Sequence, residues 1–561
     1  MSLEDTKMFE VRSKIISSLE KCFLDEKLDD KLEVKELSML RNERLSFQLA
    51  YEAVSDLRVP ARRWTLEVEG PLADKIKVSR VEHVPVTLTS WYWTVDDDYL
   101  RREPGLFPDL LLPMNLKEDT VTIAVGQLRT HFISIEDENG LEPGEYDVTL
   151  VLKWQDEEQI RNTIKIKVID AFLPEMKLIH TEWFYADCIA AYYQCELFSE
   201  RHWELIGNFM DAERKCGINT AFVYMFTPAT DTNMGTERPT TQLVDVYKNG
   251  GEYSFGYERF DRYIAMARAR GFNKFEMSHF FSQWGSNWPV KVMATVDGEY
   301  KKIFGGEPNA LDGEYGVFLR AYIKDLLAHL KTLDIDEKNC FFHLLDEPKP
   351  EDLEGYRTGK NMIADLLEGY TTIDAVATYD SYKKAEIQTP VPESHNIEPF
   401  IENKVTPLWT YICQGQHTDV SNRYLAMPGQ RTRVLGAQLF KFNVTGFLQW
   451  GFNYWYARGA RPNNPFIDPC CDYFGQAGDH FMVYPGPDGK ALYTLHGEHT
   501  NEAFQDVRAM ELLEEKLGHD AVVSIIEDGC SEPMTFKKYP RNVEYMLAMR
   551  ERINAAIEGA K

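Results

Sequence analysis

Two adjacent carboxylates, Asp346 and Glu347, stand at the end of an uncharged run, Cys340 to Leu345, and Pro348 and Pro350 follow at once. The run has the length of a buried strand. Proline, which lacks the donor a sheet ladder needs, stops it there. At the mouth of a buried strand, desolvation can raise one carboxyl while hydrogen bonds keep its neighbour ionised. Acid–base chemistry requires that division of labour. The same residues also suit a quieter task, since carboxylates before a proline often cap the next helix and begin its first turn. The elements around the pair decide between the two readings.

From residue 171 the pattern alternates between strands and helices, as parallel βα units do. Strands are expected over Met176–Phe184, Ile218–Phe226, Phe272–Phe281, Cys340–Leu345, Thr371–Tyr379, Ile387–Val391, Val405–Ile412 and Val444–Gly451. Between them, Ser199 caps a helix that Gly217 stops. Asn249-Gly250 turns a hairpin, and helices are expected around 260–270, 318–330 and 432–442. Eight successive strands fit a (β/α)8 TIM barrel. No glycine-rich phosphate loop follows any of them, which sets aside a doubly wound open sheet.

Catalytic groups of a barrel come from the C-terminal ends of its strands. Those ends carry Glu182, Trp183 and Asp187, then His279 with Trp284, then Asp346 and Glu347, then Tyr379 and Asp380, then Trp409 and Tyr411, then Trp450, Asn453 and Trp455. Carboxylates ringed by aromatic and amide side chains offer a proton donor, stacking platforms and hydroxyl partners, which is what a sugar ring needs. Asp346 and Glu347 are the candidate catalytic residues. His279, Tyr379, Trp409, Tyr411, Trp450 and Asn453 are the candidate substrate-binding ones. Each aromatic taken singly is as consistent with a core position.

Residues 1–170 read as a β-sandwich. Leu45–Tyr51, Tyr146–Trp154 and Thr163–Ile169 have strand composition and partial alternation, with turn signals at Glu138-Asn-Gly140 and Pro143-Gly144. Residues 461–561, with a helix near 501–517, read as a C-terminal extension packed on the barrel. The expected organisation is therefore multidomain α/β: a sandwich over 1–170, a catalytic barrel over 171–460 and the extension.

A net charge of −27 argues against binding nucleic acid or an anionic membrane. No uncharged run is long enough to span a bilayer, and the first residues have no apolar signal region, so a cytoplasmic location is expected. The nine cysteines, an odd number without CxxC spacing, fit reduced thiols, and the vicinal Cys470-Cys471 is read as structural. No HxH or HExxH spacing appears, so neither a metal nor a cofactor is expected, and His343 is read as a core histidine. A GxSxG nucleophile elbow is also missing.

The segments His343-Leu-Leu-Asp-Glu-Pro348, Leu408-Trp-Thr-Tyr-Ile-Cys413, Gly446-Phe-Leu-Gln-Trp-Gly-Phe-Asn-Tyr-Trp455 and Gly478-Asp-His-Phe-Met-Val-Tyr-Pro-Gly486 resemble the DUF4091 domain. That domain is the catalytic part of glycoside hydrolase family 123, the β-N-acetylgalactosaminidases, which also place a β-sandwich before a barrel. The likeness covers about residues 310–515 in motif detail and the whole chain in layout. It implies a retaining exo-glycosidase acting on terminal β-linked N-acetylhexosamine, with N-acetylgalactosamine as the sugar. It also implies the roles of the pair. Glu347 is then general acid and base, and Asp346 orients the 2-acetamido group whose carbonyl oxygen attacks the anomeric carbon. This is the substrate-assisted exception to the two-carboxylate rule.

Two other readings stand beside it. One is an ordinary two-carboxylate glycosidase with Glu347 as acid and Asp187, Glu276 or Asp380 as partner. The other is a carbohydrate-binding protein that keeps the cleft without turnover.

Overall fold

The computed structural model describes residues 9–55, 61–91, 95–155, 157–228, 232 and 234–560. Two compact units emerge, and the chain passes between them more than once. One comprises 1–177, 421–441 and 492–561, the other 178–420 and 442–491.

The first unit contains two five-stranded sheets. One is ordered Phe9–Ser17, Leu45–Ser55, Arg129–Ile135, Ile76–Val86, Gly105–Pro113; the other Glu36–Leu40, Glu157–Ile169, Gly144–Trp154, Arg62–Glu69, Val121–Ile123. Their ladders are antiparallel except where Glu157–Ile169 meets Glu36–Leu40. Phe47, Leu49, Tyr51 and Ala53 alternate along one strand. They enter a common core with Ile133 of their own sheet and with Leu66, Leu150 and Ile164 of the other, as a period of two requires of sandwich strands. All three strands expected here are present. The helices Leu435–Lys441, Leu495–Leu517, His519–Glu527 and Val543–Gly559 share a second core in this unit.

The second unit holds the eight-stranded parallel sheet. Its strands are β1 (Ile179–Glu182), β2 (Thr220–Val223), β3 (Lys274–Met277), β4 (Cys340–His343), β5 (Thr371–Val376), β6 (Thr389–Pro392), β7 (Trp409–Ile412) and β8 (Gly446–Gln449). The order runs β2 to β6 on one side of β1 and β8, β7 on the other. Among the described residues a single parallel bridge, Glu393 to Tyr411, joins β6 to β7 and brings the barrel close to closure. The weakness of that seam has a cause in the sequence, because Pro390 and Pro392 give β6 two residues without an N–H.

All eight expected strands are present, each shorter than its apolar run. The local signals hold as well. Ser199 caps the helix Glu200–Lys215 by accepting from His202 N–H. Gly250 and Gly251, both at positive φ, turn the hairpin between Asp245–Asn249 and Glu252–Gly256. No helix among the described residues is long and apolar enough to cross a membrane.

Candidate active site

Beyond His343 the chain leaves the ladder, and one side chain governs where it goes. Asp374, in β5, accepts from the N–H groups of Leu344 and Leu345, both at 2.9 Å, through Oδ1. The hydroxyl of Tyr356, from the helix Leu353–Asn361, donates to its Oδ2 at 2.5 Å. Asp374 is fully buried, and burial pushes its carboxyl up to about 7. The turn it holds presents Asp346 half-buried and Glu347 exposed. Glu347 has φ of 45°, a left-handed conformation that costs a residue with a side chain about 1 kcal/mol or more. Neither acid serves as a helix cap, since Lys349 precedes the short turn Pro350–Asp352 and Asp352 precedes the helix after it.

Glu347 is reached from β7. The Tyr411 hydroxyl donates to Glu347 Oε1 and also lies against the carboxyl of Glu393, the residue that follows β6. Gln416 donates to Glu393 Oε2 at 3.0 Å, and Gln416 in turn accepts from Cys413 N–H at 2.6 Å. Burial, then the Glu347 carboxylate, push Glu393 above the ordinary carboxyl range, while the Tyr411 and Gln416 hydrogen bonds pull it back. Burial, then the Asp479 and Glu347 carboxylates, push the Cys413 thiol well up. Asp479 accepts from Trp450 Nε1 at 3.2 Å, which orients a half-buried indole beside these groups.

Beneath the pair lies a buried polar layer. Glu276 of β3 accepts from the Thr181 hydroxyl and from Trp183 Nε1, and burial pushes it up to about 7. His343 Nδ1 lies 3.3 Å from Glu276 Oε1 and its Nε2 is 3.7 Å from Asp374 Oδ1; burial lowers this imidazole to about 3. His279 is held well below its ordinary range by burial and then by His343. Both of its ring nitrogens are buried with no partner among the described residues. A buried polar group in that condition calls for a ligand or a water.

The candidate residues now sort themselves. Asp346, Glu347, Tyr411 and Trp450 gather at the strand ends, with His279 and His343 below. Trp409 does not reach the mouth. The ladder begins at Trp409 rather than at Val405, so the residue sits at the entry of β7, fully buried against Gly446 and Phe341. Asn453 is not open to a sugar either, because its amide accepts from the N–H of Tyr185 at 2.8 Å and donates to its carbonyl at 3.1 Å. Tyr379 opens the helix Tyr379–Ala385, with its ring against Tyr382 and Phe400.

The carboxylates offered as a second acid are otherwise engaged. Asp187 is buried in a two-point pair with Arg238, Glu276 belongs to the layer below, and Asp380 is exposed beside Lys384. Reasoning from sequence missed Asp374, Glu393 and Asp479.

Among the described residues one cluster offers metal-ligand atoms, those of His279, His343 and Asp346, within 4.8 Å of one another. The two imidazoles lie 3.8 Å apart with planes tilted by 36°.

Comparison with known proteins fixes the family. Residues 183–513 match the family described as glycoside hydrolase 123, catalytic domain. The chain belongs to glycoside hydrolase family 123. A solved family 123 glycoside hydrolase from Clostridium perfringens, described for glycolipid glycan hydrolysis, is similar over 98% of this chain and 98% of its own. Its TM-score is 0.71 at 15% identity, an agreement of fold. A family 5 xyloglucanase from Bacteroides ovatus covers 77% of this chain and 96% of its own with a TM-score of 0.26 and 9% identity, too distant a likeness to argue from. Comparison with curated proteins gives no match. This family 123 chain is a glycoside hydrolase, and its substrate is a carbohydrate.

Proposed function

We propose that the enzyme removes terminal β-linked N-acetylhexosamine, N-acetylgalactosamine in particular, with retention of configuration and by substrate assistance. The observation that carries this reading is the adjacent pair Asp346–Glu347 at the end of β4, with Glu347 exposed and bound by Tyr411. In the first step the Glu347 carboxyl gives its proton to the glycosidic oxygen. The carbonyl oxygen of the 2-acetamido group attacks the anomeric carbon as the C–O bond breaks, and Asp346 accepts from the amide N–H of the developing oxazolinium ring. In the second step Glu347, now a carboxylate, takes a proton from water, whose oxygen opens the ring at the same carbon. Trp450 supplies a stacking face, and His279, with two unpartnered nitrogens, is proposed to meet a polar group of the sugar.

Support for substrate assistance over a two-carboxylate scheme comes from the employment of the other acids. Asp187 is held by Arg238 and Glu276 by Thr181 and Trp183, while Asp380 is exposed beside Lys384.

Turnover of aryl β-N-acetylgalactosaminides and of a disaccharide by Glu347→Gln and Asp346→Asn tests the reading. Glu347→Gln should lower disaccharide turnover by about 100-fold or more, with less loss for a dinitrophenyl glycoside whose leaving group needs no proton. Asp346→Asn should lower both. A wild-type enzyme that cleaves plain hexosides and ignores every 2-acetamido glycoside would refute it.

A further inference from the structure

On the β2 side of the acids, the second unit has a cavity of about 240 Å³ that the pair mechanism does not use. One water takes up about 30 Å³ of the liquid, so the space is on the scale of a single sugar ring. Thr227, in the segment after β2, and Trp284, in the segment after β3, line it. So do Lys291, just before the strand Val292–Val296, and Lys302, in its antiparallel partner Glu299–Phe304. The wall is tied to the loop that carries the acids. Phe281 N–H donates to the Leu344 carbonyl at 3.0 Å. Ser286 donates to Asp352 Oδ2 through its N–H at 2.6 Å and its hydroxyl at 2.7 Å. Leu344 and Asp352 bracket the two acids in sequence as Phe281 and Ser286 bracket Trp284, so the two segments pass the mouth together.

Two features of the lining say what would fill it. Trp284 is half-buried, its Nε1 donates to the Thr232 carbonyl at 2.8 Å, and its ring meets Trp288 edge to face at 5.5 Å. A ring fixed in this way is a platform for the apolar face of a sugar. The second feature is charge. Lys302 donates to Glu237 Oε1, and Lys291 Nζ lies 3.0 Å from Oε2 of the same side chain. The Lys302 hydrogen bond, then that of Lys291, hold the Glu237 carboxyl below its usual range, so two ammoniums face one carboxylate. Arg238 adds nothing to this surplus, because it is paired with Asp187. An ammonium has three donors, and the Lys302 ammonium has Glu237 as its one partner among the described residues. Gly306 keeps it open, since a Cβ there would stand 3.4 Å from Nζ. A chain of net charge −27, with Asp346 at the same mouth, repels an anionic saccharide. The lysines offset that repulsion at one place.

We propose that this cavity receives the leaving-group sugar of an acidic saccharide, with its carboxylate or sulfate against Lys302 and Lys291 and its ring on Trp284. The inference rests on the carbohydrate reading of the Asp346–Glu347 mouth and names the class of saccharide taken there. The terminal N-acetylhexosamine lies at the acids, and the next sugar reaches towards β2.

The test uses three disaccharides, with N-acetylgalactosamine β-1,4-linked to glucuronate, to glucose 6-sulfate or to glucose, and an aryl β-N-acetylgalactosaminide. Each is given to the wild type and to Lys302→Met. The wild type should take one or both acidic disaccharides at lower KM than the glucose one, and which of them it takes identifies the anion. Lys302→Met should shrink that preference about tenfold and leave the aryl glycoside unchanged. Because the preference is a ratio compared between two proteins, differences in leaving-group reactivity cancel. Salt at about 0.5 M should shrink the wild-type preference in the same direction. Trp284→Ala should raise KM for all three disaccharides alike.

A wild type that takes the three disaccharides alike would overturn the proposal, as would a preference that survives in both Lys302→Met and Lys291→Met. Failure of the mechanism looks different. If no disaccharide is cleaved, calorimetry with the two acidic disaccharides still reads the cavity. Binding of either that weakens about tenfold in Lys302→Met upholds it, whereas equal binding by both proteins, or none, sinks it.

Discussion

Asp374→Asn separates what the buried layer does for stability from what the mouth does for chemistry. In the folded protein burial pushes the Asp374 carboxyl up to about 7, against about 3.9 for an unfolded aspartate. A group raised on folding keeps its proton over a range where the unfolded chain has lost it. Its contribution to stability is therefore fully present below about pH 4 and is lost as pH rises through 7. The difference of about three units corresponds to about 4 kcal/mol, at up to about 1.4 kcal/mol per pH unit. Asparagine has nothing to titrate, yet its carbonyl can still accept from Leu344 and Leu345. The stability of the wild type minus that of Asp374→Asn should thus fall by about 4 kcal/mol between pH 4 and 8 and then level off.

Urea unfolding of both proteins across that range measures the difference, and subtraction removes the opposing titration of buried histidines such as His343. A flat difference, or one that rises with pH, would refute the burial argument. Asp374→Ala has another expected result: it leaves two backbone N–H groups without their acceptor, at about 1–3 kcal/mol each, and lets the turn carrying Asp346 relax. Turnover should then fall even where the protein is folded.

Two further outcomes follow from placements in the barrel. Arg238→Met should cost about 3–5 kcal/mol, because it strands the fully buried Asp187 carboxylate. Adding Asp187→Leu should return part of that loss in the same denaturation assay, which it would not do if Asp187 were wanted for its charge alone. Trp409→Ala should lower stability by about 3–5 kcal/mol while leaving KM close to the wild-type value where the protein remains folded. A large rise in KM with little loss of stability would return Trp409 to the substrate site.

The barrel was legible because each strand is an uncharged run closed by a turn signal, and periodicity of that kind survives without any knowledge of contacts. The pair was legible because two acids and two prolines interrupt such a run abruptly. What escaped depends on where a ladder begins. Trp409 reads as a strand-end residue because the strand signal starts at Val405, but the ladder starts at Trp409 and the same side chain becomes core. Asn453 follows β8 as a sugar-binding amide would, yet the main chain of Tyr185, 268 residues away in sequence, claims both of its polar atoms. Asp374 sits inside an apolar strand, where a lone carboxylate reads as an irregularity until its two N–H donors are visible.

Glu393 escaped for a reason that bears on the chemistry. Its strand, Thr389-Pro-Val-Pro392, has two prolines, so the strand signal is weak and its end hard to place. The same prolines thin the β6–β7 edge to the single Glu393–Tyr411 bridge, with the Thr410 hydroxyl donating to the Pro392 carbonyl at 2.8 Å beside it. Where main-chain ladder is scarce, side chains must hold the register, and here those side chains are the ones that meet the acid. Joining the barrel at this seam and orienting Glu347 are then one arrangement. A substitution at Tyr411 is expected to register in stability and in turnover together, whereas one at Trp450, outside the seam, can change sugar binding alone.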